Sequence, residues 1–136
     1  MDTLVSSKGP ILELGCGNYS TPVIASIALA QGRKYVVQAS NAEWAAKFAE
    51  DVEIQIVDWD EWEPKGEWGM VFLDSEESVK NRIKRLPALA QCAEVVVMHD
   101  ANIAMQNPEW KDMVRDYGQV TVYTKHVPWT VVLIPK

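Results

Sequence analysis

Two rhythms of apolar and polar positions alternate along the chain. The run "ILEL" at 11–14 is apolar except at Glu13. It is bounded by Gly9-Pro10 and Gly15 and predicts a buried strand. Residues 20–31 predict a helix, with Ser20 or Thr21 as N-cap, Pro22 in the first turn and Gly32 as its stop. "KYVVQA" at 34–39 is a second strand. "NAEWAAKFAE" at 41–50 is a second helix capped by Asn41, with Trp44, Ala45 and Phe48 at helical spacing. "VEIQIVDW" at 52–59 alternates as a third strand, and the polar segment after it breaks at Pro64 and Gly66. "GMVFLD" at 69–74 is a fourth strand, and residues 76–91 an amphipathic helix bent near Pro87. "AEVVVMHD" at 93–100 is a fifth strand, apolar on both faces. Residues 107–118 predict a helix stopped at Gly118. "QVTVYTK" and "TVVLIPK" are two last strands, and the turn around His126 and Pro128 suits a hairpin.

Alternating βα units with continuously apolar strands require a parallel sheet covered on both faces. The expected fold is α/β: a doubly wound, Rossmann-like, mostly parallel sheet of about seven strands ending in an antiparallel hairpin. Repeats and linker composition are absent from the sequence, so one domain over 1–136 is expected.

The formal net charge of −6 removes the basic stripe by which nucleic-acid binders neutralise phosphates. No nucleic-acid partner is expected. Lys80, Arg82, Lys84 and Arg85 cluster, but neighbouring acids balance them, and they read as the solvated face of a helix. Cys16 and Cys92 form neither a CxxC pair nor a zinc-ligand spacing, which fits a reducing cytoplasm. The opening "MDTLVSSKGP" does not read as a secretory signal, and no apolar stretch approaches the roughly 20 residues that span a bilayer.

Ligands of such sheets lie outside the carboxyl ends of the strands. The residues there are Glu13 with the 15–21 turn, Gln38-Ala39-Ser40, Asp58-Trp59, Asp74-Ser75-Glu76 and His99-Asp100. Acids stand at most of these ends. Each alone can cap a helix or sit in solvent, but together they repel unless a cation, or a ligand rich in hydrogen-bond donors, joins them. Gly15 and Gly17 either permit a tight turn or let the backbone approach a ligand at the positive end of the next helix. "GCGNYST" is neither G-x-G-x-x-G nor a P-loop, and an acid beside this turn suits a positively charged ligand.

"ILELGCGNYSTPVIA" resembles the first motif of class I S-adenosylmethionine-dependent methyltransferases, nearest the small-molecule O-methyltransferase branch. "QASNAEW", "VFLDSEE" and "VVVMHDA" resemble that branch's second, fourth and fifth strand ends, and the resemblance runs from residue 10 to about 103. It implies S-adenosylmethionine as methyl donor, a small-molecule oxygen or nitrogen acceptor, and transferase activity. Glu13, Gly15, Cys16, Gly17 and Ser20 would surround the methionine part. Gln38, Ala39 and Ser40 would lie by the ribose. Asp58 would receive the adenine amino group, Trp59 would offer a stacking face, and Asp74 would lie below the donor. Asp74, Asp100 and Asn102 are the oxygen set that would hold a divalent ion such as Mg2+. The family's Asn directly follows its acid, whereas here Ala101 intervenes.

The ribose-clamping acid of the family aligns with Ala39, so Ala39→Glu is expected to tighten binding, and Gly15→Val to abolish it with the fold intact. The family's N-terminal helices roof the site. Ten residues precede the first strand here, so a second copy or partner is expected to cover it. Asp100 is the favoured base, because His99 and Asp100, as successive strand residues, would point to opposite faces. Two other classes remain open. One is a non-catalytic binding module on the same fold. The other is a nicotinamide-binding protein, disfavoured by the missing third glycine.

Overall fold

The computed structural model describes residues 7–17, 20–48 and 52–136. The elements in chain order are β1 (Ile11–Leu14), α1 (Ser20–Gln31), β2 (Tyr35–Ala39), α2 (Ala42–Ala45, continued by a 3-10 turn to Phe48), β3 (Glu53–Ile56) and β4 (Trp68–Leu73). After them come α3 (Val79–Ile83), α4 (Leu86–Leu89), β5 (Ala93–His99), α5 (Ala101–Ala104), α6 (Trp110–Met113), β6 (Tyr117–Tyr123) and β7 (Thr130–Pro135). The seven strands order as β3-β2-β1-β4-β5-β7-β6. The first five are parallel, and β7 joins β5 and β6 antiparallel. The doubly wound sheet with a terminal hairpin is as the periodicity predicts.

Strand alternation sorts the core into two layers. Leu12 and Leu14 of β1 join Val71, Leu73, Val96 and Met98 on the face packed by α3, α4 and α6. Ile11 joins Met70, Val97, Ile24 and Ala28 on the α1 face. Gly32, at a φ of +65°, ends α1 in the left-handed conformation that favours glycine.

Several boundaries differ from the sequence expectations. The 76–91 helix is two short helices, with Pro87 in the first turn of the second. Helix 107–118 shrinks to α6, and α5 appears unannounced after β5. Gly118 does not stop a helix. It lies in β6, where the pairing with β7 shifts register between Tyr117 and Gln119. The expected end of the 41–50 helix reaches beyond the described residues. Among those residues, no helix is long and apolar enough to cross a membrane.

Candidate functional site

β1 lies between β2 and β4, so the strand order reverses at its carboxyl end. The glycine turn therefore opens at the switch point of the sheet. Glu13 has no exposed surface. Its Oε2 accepts from Ser20 Oγ at 2.7 Å, and its Oε1 accepts from Thr21 Oγ1 at 2.7 Å and Tyr35 Oη at 2.6 Å. Thr21 Oγ1 in turn accepts from the Gly17 amide at 2.9 Å. Burial pushes the Glu13 carboxyl above its ordinary range, and the hydrogen bonds from Tyr35, Ser20 and Thr21 pull the other way. Glu13 thus stands behind the turn and ties β1, β2 and α1 together, rather than facing a ligand as the resemblance implies.

Gly15 has a φ of +90°, and a Cβ there would lie 2.0 Å from the Asp74 carbonyl oxygen. Its amide donates to Gln38 O at 2.7 Å. The glycine is therefore required where β1, β2 and β4 cross, whatever approaches from outside, and Gly15→Val would disturb the fold. Cys16 O accepts from Trp44 Nε1 at 2.8 Å, and burial pushes the Cys16 thiol up to about 11.

At the β2 and β3 ends the expected ligand groups are engaged within the chain. Ala39 is fully buried, so a glutamate there would enter a closed position, and the proposed gain from Ala39→Glu has no room. Gln38 accepts from Trp62 Nε1 at 2.6 Å and donates to Gln55 at 2.8 Å. Trp59 is 8% exposed and packs in the core beside Trp62, so its ring is not an open stacking face. Its Nε1 donates to Glu76 Oε2 at 2.9 Å, as do the Ser40 amide at 3.3 Å and Oγ at 3.1 Å. Asp58 is exposed, and its Oδ1 accepts from the Asp60 amide. A cleft of about 430 Å3 opens here between Ser40, Asp58, Trp59, Glu77 and Asn81. One of equal volume opens at the opposite edge, by Lys8, Trp68 and Cys92, away from every strand end named above.

The β4 and β5 ends bring Asp74, His99 and Asp100 together, with one ligand-type atom of each within 4.8 Å of the others. Their cation comes from the chain. Arg82, 6% exposed, sits 3.0 Å from Asp100 Oδ2 and 3.4 Å from Asp74 Oδ1, and donates to Ser75 O at 2.8 Å. Burial raises Asp74 above the usual carboxylate range, while Arg82 and then His99 draw it down. Asn102 is spent on the Trp129 amide at 3.2 Å. A guanidinium already bridging the acids, and an amide turned elsewhere, do not fit a divalent-ion site, so the Mg2+ set is corrected to an ion-paired one. Arg85 likewise points inward: it pairs with Glu77 and donates to Trp59 O. Neither arginine belongs to a solvated face.

His99 and Asp100 do not point apart. Asp100 has φ 63° and ψ 35°, a left-handed turn that ends strand alternation. Its Oδ1 lies 3.3 Å from His99 Nδ1. Arg82 and Arg85 at this edge, and Tyr35, which reaches Glu13 from the start of β2, are the residues that the sequence left out of the candidate set.

Solved methyltransferases are among the proteins that fold this way, and this chain has their α/β, Rossmann-like fold. It superposes on the 23S rRNA methyltransferase ErmE with a TM-score of 0.65 at 15% identity, covering 99% of this chain and 66% of that one. The 16S rRNA N2 G1207 methyltransferase RsmC of T. thermophilus, in complex with AdoMet and guanosine, gives 0.59 at 16%, over 99% and 38%. The precorrin-6y C5,15-methyltransferase of Geobacter metallireducens gives 0.60 at 15%, over 98% and 84%. The chain thus spans less than two thirds of the first two. No family model and no curated protein matches the sequence.

Proposed function

We propose that this chain is an S-adenosylmethionine-dependent methyltransferase acting on an oxygen or nitrogen of a small molecule. The observation that carries it is the turn Glu13-x-Gly15-x-Gly17 at the carboxyl end of the central strand, where the order β3-β2-β1-β4-β5-β7-β6 reverses. S-adenosylmethionine, when bound, supplies a methyl group already activated on a sulfonium. The turn would hold its amino-acid part, and Asp58, with one carboxylate oxygen given to Asp60, would take the adenine amino group on the other. The chain's task is then to align the acceptor and take its proton. Asp100 is held on one oxygen by Arg82 and lies against His99 Nδ1 with the other. His99 Nε2 has no partner among the described residues and suits the proton acceptor, with Asp100 as its positioning residue. That moves the base from Asp100 to the pair.

The small acceptor is supported by the net charge of −6 and by Asp58, Asp60, Glu61 and Glu76 exposed at this edge, which would repel a phosphate backbone. Two of the superposed enzymes are named for ribosomal RNA, so RNA is the rival acceptor. Calorimetry with S-adenosylhomocysteine should register binding that magnesium does not change. Labelled methyl should then pass to a small-molecule extract and not to total RNA. A folded chain that gives no heat with S-adenosylhomocysteine would sink the proposal. It would leave the non-catalytic binding module, which the burial of Ala39 and the internal engagement of Gln38 favour, with a partner or second copy over the site.

A further inference from the structure

The end of β2 lacks a carboxylate in sequence, yet one stands there in space. Glu76, from the turn after β4, reaches across the edge of the sheet. Its Oε2 accepts from the Ser40 amide at 3.3 Å, Ser40 Oγ at 3.1 Å and Trp59 Nε1 at 2.9 Å. Three donors from two other strand ends converge on one oxygen. An exposed glutamate ordinarily keeps its rotamer freedom. Here the donors hold it against that entropy. The other oxygen, Oε1, has no partner among the described residues, and Glu76 and Ser40 are both exposed. Ser40 Oγ has given its hydrogen to Glu76 and retains its lone pairs. Two neighbouring acceptors thus stand beside the cleft that Ser40, Asp58 and Trp59 line. They suit a ligand offering two adjacent hydroxyl donors, and the carboxylate repels an anion.

We propose that Glu76 and Ser40 form the vicinal-diol acceptor of the nucleoside site: Glu76 Oε1 takes the ribose 2′-hydroxyl and Ser40 Oγ the 3′-hydroxyl. The acid comes from beyond β4 and replaces one at position 39. This rests on the methyltransferase proposal, because it takes the ligand at this edge to be an adenosyl compound.

The test is calorimetry on the whole chain with S-adenosylhomocysteine and its 2′-deoxy counterpart. A hydrogen bond to a charged group corresponds to a factor of roughly ten to a hundred. The parent should prefer the diol by about that factor, and Glu76→Ala should lose most of the preference while binding the 2′-deoxy compound about as the parent does. Glu76→Gln keeps an acceptor for Trp59 Nε1 and guards against a folding defect; its preference should fall severalfold. Ser40→Ala should weaken both compounds by a similar factor, since both carry the 3′-hydroxyl that Ser40 Oγ accepts. If either folded Glu76 variant keeps the parent's full preference, or the parent shows none, the diol is held elsewhere, though methyl-donor binding stands. If the folded parent binds neither compound, this inference and the methyltransferase proposal fall together.

Discussion

Two carboxylate sites share one edge of the sheet and are stabilised in opposite ways. Glu13 is dry, and three neutral hydroxyls satisfy it. Asp74 and Asp100 are about a quarter to a third exposed and share a buried guanidinium. At the first site the acid organises backbone: it orients Thr21, which holds the Gly17 amide. At the second the acids leave an imidazole edge open to solvent. An acid after a strand is therefore not a ligand contact by position. The type of its partners decides, since hydroxyl donors with no exposure build a scaffold, and a shared cation leaves part of each carboxylate free.

The seam between the two sites is Gly15, whose absent Cβ would meet the Asp74 carbonyl. Gly15→Ala is the largest expected effect. Overpacking costs about 1–3 kcal/mol and a left-handed non-glycine about 1–2, so the loss should be roughly 2–5 kcal/mol. Urea unfolding measures it. A loss below about 1 kcal/mol would mean that the turn shifts freely and the sites are not tied.

Arg82→Met comes next. It leaves two acids facing each other, and breaking a buried pair costs about 3–5 kcal/mol, with the lower end expected because both acids are partly exposed. The sign with pH follows. In the variant Asp74, already raised by burial, loses the cation that draws it down, so the deficit is present at neutral pH and fades as pH falls toward its unfolded value. Millimolar magnesium should raise the variant's midpoint and leave the parent's unchanged. A magnesium response in the parent would restore the metal site.

Glu13→Gln probes the dry site. With the folded carboxyl raised above its ordinary 4.5, stability from Glu13 is fully present below that value and lost as pH rises through the folded one. The parent should therefore gain on the variant as pH falls from 7 toward 4.5. The gain should be smaller than the losses expected at Gly15 and Arg82. An opposite slope would mean that the hydroxyls outweigh burial, and the two sites would differ less than their geometry suggests.

The succession of strands along the chain was legible because Gly-Pro punctuation and short apolar runs are local signals. The carboxyl edge was legible because the fold rule places it. What escaped depended on contacts between distant segments. "KNRIKR" carries four cations in six residues and reads as solvated. Yet the segment is two short helices whose break turns Arg82 and Arg85 inward toward acids far off in sequence. Glu76 gave no local sign that its partners would be Ser40 and Trp59. Trp59 and Trp62 recur three apart in a polar stretch, a burial signal outweighed by the acids around them.

The His99–Asp100 pair was misjudged for a purely backbone reason, and it carries the smallest prediction. Period-two alternation holds only while the strand continues, and Asp100 ends it in the left-handed region. Asn and Asp tolerate that conformation because their short polar side chains bond locally, whereas Ala bears about 1–2 kcal/mol. Asp100→Asn and Asp100→Ala both remove the charge from Arg82, so their difference isolates the turn. Asp100→Ala should be less stable than Asp100→Asn by about 1 kcal/mol, read as a difference in urea midpoints at equal slope. The Asn variant should also hold the His99 ring in place, with its chemical shifts moved only by the lost charge. Equal midpoints would mean that the left-handed turn is not held at position 100. His99 would then be free to follow the strand's alternation to the opposite face from Asp100, and the proton-accepting pair would come apart.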